Sequence, residues 1–138
     1  MGSYTFFTIC LLHSTLALSC GALMMFYANE ISAFGHGSAA ASQLRGSTSH
    51  DQLLIQTSHS FSGLLLFSIG LLLLMAAFVT DKGFHSFFAK GCIMLHLMMA
   101  IWRLHFERRL EDLAWDLTRQ VLGDFTLALS WIFFLLYS

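Results

Sequence analysis

Hydrophobic and polar positions alternate on a coarse scale along this chain, in four long apolar runs parted by polar stretches. The runs cover about 4–27, 52–79, 84–104 and 117–137, and residues 1–29 and 52–80 contain no Lys, Arg, Asp or Glu. A helix crosses a bilayer core with about 20 apolar residues, so each run is long enough to span. The first run has Tyr4 and Tyr27 near its ends and the last closes at Tyr137, where interfacial anchors are expected. The segment 28–51 is rich in Gly, Ser and Ala and reads as a flexible polar loop. Asp81, Lys82 and Gly83 mark a tight turn. Lys90 interrupts the third run close enough to its end to snorkel.

A different pattern precedes the last run. Phe106, Leu110, Leu113 and Leu117 recur at helical spacing with charges on the other faces, and Arg108 and Asp112 form an i,i+4 pair. This predicts a short amphipathic connector over 104–116, lying at an interface and running into the fourth span. Its exposed Arg108, Arg109 and Trp115 are candidate partner-binding residues. The fold class expected is an all-α integral membrane protein. Four transmembrane helices form a bundle, with the amphipathic connector before the last, in a single membrane domain over 1–138.

Within the runs, small and polar residues fall on stripes. The first carries Cys10, Ser14, Ala17 and Gly21, and the second Gln52, Gln56, His59, Gly63, Gly70 and Ala77. On the third they are His85, Ala89, Cys92, His96, Ala100 and Arg103. Such stripes mark helix–helix contacts in lipid, where close backbone approach replaces the hydrophobic driving force. His13, His59, His96 and Asp124 stand out as ionisable groups inside apolar runs, a costly placement that points to bundle interiors and to function. His59 lies seven positions past Gln52, His96 seven before Arg103 and Asp124 seven past Leu117. At 1.5 Å per residue each is about 10 Å from the same membrane face, so the three are expected to share a polar layer with Arg103. His13 lies nearer the midplane. Such a layer serves either interhelical hydrogen bonding, imidazole to carboxylate or carboxylate to Arg103, or proton and ligand handling.

Composition sharpens this picture. Hydrophobic residues make up 57% of the chain and charged ones 11%, against about 25% charged in soluble domains. The net charge of −1 offers no basic footprint for nucleic acid. No Lys or Arg precedes Arg45, so a signal peptide or transit peptide is not expected, and the first run reads as a retained span. Arg45, Arg103, Arg108, Arg109 and Arg119 fall on the side of segments 28–51 and 104–116, against Lys82 and Lys90 on the other. The positive-inside rule then places both termini on the non-cytoplasmic side. An endoplasmic reticulum or other secretory-pathway membrane is favoured, and a mitochondrial inner membrane is also compatible. Cys10, Cys20 and Cys92 lack the spacing of a zinc or redox site and read as packing residues.

Two short patches carry a resemblance. His59-Ser60-Phe61-Ser62-Gly63, and His105 followed by Trp115-Asp116-Leu117, resemble the quinone-proximal and haem-ligand segments of the large membrane-anchor subunit of succinate dehydrogenase. The resemblance covers about a tenth of the chain and implies a haem b and quinone-associated electron-transfer anchor. Two histidines at equal depth, His59 and His96, would be its axial ligands. Ser60 stands where that family has an arginine near its quinone, this chain has an additional first span, and His105 falls in the connector.

Met94, His96, Met98 and Met99 have the ligand softness of a Cu(I) site, but no methionine-rich capture segment lies outside the runs, so no metal is expected. Nucleophile elbows, phosphate loops and HExxH motifs are absent, so the chain is not expected to be an enzyme. These features together predict a non-catalytic accessory, assembly or scaffold subunit of a larger membrane complex, with the bilayer and other integral membrane subunits as partners and no cofactor. The alternatives are the haem b anchor and a small proton-coupled transporter.

Overall fold

A computed structural model describes residues 2–109 and 111–137, with the side chains of 35, 36, 40 and 111–116 outside the description. The chain folds into α1 (Gly2–Phe26), α2 (Ala28–His36), α3 (Ser38–Gln43), α4 (Ser49–Ala77), α5 (Lys82–Phe106), a 3-10 turn (Glu107–Arg109) and α6 (Glu111–Tyr137). Among the described residues there is no strand. Four helical segments are long and apolar enough to cross a membrane: Gly2–Phe26, Ser49–Ala77, Lys82–Arg109 and Leu117–Tyr137.

Two expectations change. The segment 28–51, read as a polar loop, holds the two short helices α2 and α3. Ala28, Ala33, Ala39 and Ala41 supply helix propensity within it, which its Gly and Ser content obscures. Gly37, at φ 85°, takes the left-handed conformation that stops α2, and its N–H donates to the Ala33 carbonyl. The connector over 104–116 is likewise not a separate helix. Residues 104–106 extend α5 and 111–116 belong to α6, with only the 3-10 turn and residue 110 between them. No Gly or Pro stands in 104–116 to end either helix earlier.

Capping fixes the helix starts. Thr48 and Asp51 form a reciprocal capping box at α4: the Asp51 N–H donates to Thr48 Oγ1 at 3.1 Å, and the Thr48 N–H to Asp51 Oδ2 at 3.3 Å. Asp81 caps α5 by accepting from the Phe84 N–H at 2.6 Å.

Two compact units emerge, and their boundary falls inside α1 and α4. One is discontinuous, Met1–His13 with Leu73–Ser138, and the other is the continuous segment Ser14–Leu72. The core of the discontinuous unit is aromatic. Phe6 is fully buried, stacks on His85 at 3.8 Å between ring centroids, and meets Phe88, Trp131 and Phe134. The His85 Nε2–H donates to the Val79 carbonyl at 2.6 Å, which ties the 78–81 turn to this core. On α6, Leu117, Val121, Asp124, Ala128 and Trp131 are buried at alternating spacings of four and three, a coiled-coil-like seam that Phe134 extends by three.

In the continuous unit, α1 and α4 approach backbone to backbone. A Cβ added to Gly21 would lie 2.7 Å from the Gly63 carbonyl oxygen, and one on Gly63 would lie 2.7 Å from the Gly21 carbonyl oxygen. Ser14 Oγ–H donates to the Gly70 carbonyl at 2.9 Å along the same contact. The small-residue stripes are therefore the means by which these helices close together.

Large apolar side chains such as Leu72, Met94, Met98, Ile101, Leu129 and Phe133 are exposed on the long helices. An outer surface this rich in apolar side chains suits lipid rather than water.

Candidate functional site

The discontinuous unit holds two polar clusters. In the first, the Trp131 Nε1–H donates to His13 Nδ1 at 3.3 Å, which makes that nitrogen the acceptor. The proton then sits on His13 Nε2, which donates to Ser130 Oγ at 3.0 Å, and Ser130 Oγ–H donates to the Leu127 carbonyl at 2.7 Å. Each side-chain polar atom of this relay has a partner, so His13 is a linchpin between α1 and α6. His96 faces this cluster: its ring lies 5.4 Å from that of His13 in an edge-to-face arrangement. His96 Nδ1 is buried and, among the described residues, meets no hydrogen-bond partner.

The second cluster is ionic. Arg103 Nε–H donates to Asp124 Oδ2 at 2.9 Å, joining α5 to α6. Arg103 Nη1–H donates to both Glu107 oxygens, at 2.9 and 3.2 Å, and also to Gln120 Oε1. One guanidinium thus balances two carboxylates, and its rigid fork serves three acceptors at once. The Asp124 side chain is 8% exposed and that of Arg103 22%, so the pair is largely withdrawn from solvent. The i,i+4 bond to Glu107 also holds the last turn of α5 as it enters the 3-10 turn.

His59 belongs to the continuous unit. There it lines a cleft with Asn29 and Ser32 of α2, Arg45, and Gln52 and Gln56 of α4. Of the residues proposed from sequence, the discontinuous unit brings His13 beside His96 and pairs Arg103 with Asp124, whose charge also acts on His96, and the continuous unit places His59 in a cleft with Arg45. Sequence reasoning missed Ser130, Trp131, Glu107 and Gln120. Glu107 was open to detection as the i+4 neighbour of Arg103; the others are uncharged and carry no pattern of their own.

Arg108 and Arg109 are exposed, and Arg109 Nη2–H donates to His105 Nε2 at 3.3 Å. The Trp115 side chain and the Arg108–Asp112 pair lie outside the described residues. Met94 and Met98 are exposed, and no group of three or more His, Cys, Asp or Glu converges among the described residues to hold a metal ion.

These features define an all-helical protein with four helices of membrane-spanning length and buried polar ties between them. The chain belongs to the family described as a domain of unknown function, DUF7865, whose model matches residues 1–132. No curated protein and no solved structure matches the chain.

Proposed function

We propose that this protein is a multi-pass membrane protein, inserted through α1, α4, α5 and α6, that serves as a non-catalytic accessory, assembly or scaffold subunit of a larger membrane complex. A secretory-pathway membrane, with both termini on the non-cytoplasmic side, fits the arginine bias of the 28–51 and 104–116 segments. The observation that carries the subunit reading is the outer surface of α5 and α6. Gly91 and Gly123 are exposed there, and a Cβ on either would meet nothing within 4 Å. They have no packing task within the chain. In lipid, an outward small residue lets the backbone of another helix approach closely. The exposed Arg108 and Arg109 add a charged docking edge at the 3-10 turn between these two helices.

Mild-detergent co-purification tests this reading. Integral membrane partners are expected with the native chain and are expected to be lost with Gly91→Leu and Gly123→Leu, while the thermal midpoint of the isolated protein does not fall. Recovery of this chain alone would remove the basis for a complex subunit.

One observation favours a second reading, proton handling. His96 presents a buried nitrogen without a protein partner beside the His13 ring. Vesicles holding the purified protein and a pH-sensitive dye would then show proton flux that His96→Gln abolishes. Equal flux from both proteins and from empty vesicles excludes this reading.

A further inference from the structure

We propose that the cleft formed by α2, α3 and α4 in the continuous unit is a binding site for a phosphate-type anion, carried on a lipid headgroup or free in solution. This goes beyond the subunit reading and does not depend on it. The cleft has a volume of about 140 Å³. A cavity of about 150 Å³ accommodates benzene, so there is room for a compact anionic group.

The lining is matched to an anion in three respects. First, its one charged residue is Arg45, and no Asp or Glu lines the cleft. Second, the polar groups converge from separate elements: Asn29 and Ser32 from α2, and Gln52, Gln56 and His59 from one face of α4, at i, i+4 and i+7. Third, most of these groups are not spent elsewhere. Among the described residues the side chains of Arg45, Asn29, Ser32, Gln56 and His59 make no hydrogen bond or ion pair, and of the polar lining side chains only that of Gln52 has a partner, donating to the Gly46 carbonyl at 3.4 Å. Asp51, the acid closest to Arg45 in sequence, is occupied with the Thr48 N–H and the Ser47 hydroxyl in the α4 cap.

Unpaired donors around a guanidinium are the chemistry that recognises a tetrahedral oxyanion, because the planar fork meets two oxygens at once and amide and hydroxyl donors serve the others. The place in the fold favours a headgroup. Beyond His59, α4 continues as an apolar helix with Phe61, Leu64 and Leu65 exposed, along which acyl chains would lie. The cleft lies where the arginine-bearing 28–51 segment meets the first turns of α4.

The test uses the full chain in a neutral detergent, with short-chain phosphatidic acid and phosphatidylcholine as lipid probes and inorganic phosphate as competitor, read by native mass spectrometry. Phosphatidic acid is expected to be retained over phosphatidylcholine. Arg45→Gln is expected to weaken retention about tenfold, the scale of one charge-assisted hydrogen-bond set. Gln56→Ala and His59→Ala weaken it by less, and Arg45→Lys recovers part of it because the charge returns without the fork. Lys82→Gln, which removes an exposed cation elsewhere, leaves retention unchanged. Retention that millimolar phosphate does not displace supports a headgroup site; displacement supports a site for the free anion. The proposal is overturned if neither probe binds, or if Arg45→Gln and Lys82→Gln have equal effects. Should Arg45→Gln fail to fold, the Gln56→Ala and His59→Ala pair decides in the same way.

Discussion

Arg103→Met is expected to destabilise the detergent-solubilised protein by about 3–5 kcal/mol, the cost of leaving a buried charge without its partner. The substitution strands Asp124 and Glu107, two carboxylates that the guanidinium had paired, and removes its bond to Gln120. The order of single substitutions follows from the same count. Asp124→Asn leaves Arg103 with Glu107 as counter-charge and costs less. Glu107→Gln costs least, because Asp124 still holds the guanidinium and Glu107 lies at the helix end. The double variant Arg103→Met with Asp124→Leu recovers much of the loss, since an apolar replacement of a buried pair is often neutral or better. Thermal denaturation followed by circular dichroism measures all four. If Arg103→Met and Glu107→Gln shift the midpoint equally, the guanidinium is not the hub described above.

Gly63→Leu is expected to be as damaging, through sterics rather than charge. The Cβ alone would sit 2.7 Å from the Gly21 carbonyl oxygen and 2.8 Å from the Met25 nitrogen, and backbone atoms cannot swing aside as a side-chain tip can. Even Gly63→Ala should destabilise by about 1–3 kcal/mol, as overpacking does. That sign is informative. Gly→Ala inside a helix normally gains about 1 kcal/mol of propensity, so overpacking must exceed the gain. Gly91→Ala and Gly123→Ala, whose added Cβ meets open space, should show the ordinary gain. A scan in which all three alanine variants stabilise would refute the close approach of α1 and α4 at Gly63.

How much of this was open to sequence reading differs between levels. The four apolar runs set the long helices to within a few residues, because length and hydropathy act locally. The stripes were legible for the same reason: Cys10, Ser14, Ala17 and Gly21 are all buried, as are His85, Ala89 and Ala100. Partners were not legible. His13 and Trp131 are joined across 118 positions, and no periodicity in either helix encodes the rotation that turns the indole toward the imidazole. Counting depth from presumed span ends placed His96 and Asp124 in one layer, but depth constrains only one coordinate. It says nothing about which neighbours a side chain faces. In the 28–51 segment, glycine and serine hid short helices whose lengths fall below what composition resolves.

The contact between His13 and Trp131 also fixes an order of events during synthesis. The unit Ser14–Leu72 is one uninterrupted stretch, so all of its parts are present once residue 72 has been translated. The other unit draws on both ends of the chain. Its first thirteen residues must wait, with Phe6 and His13 lacking Trp131, until residue 131 has been translated. The nascent α1 therefore passes that interval without the indole of Trp131 and the ring of Phe134 that later enclose Phe6.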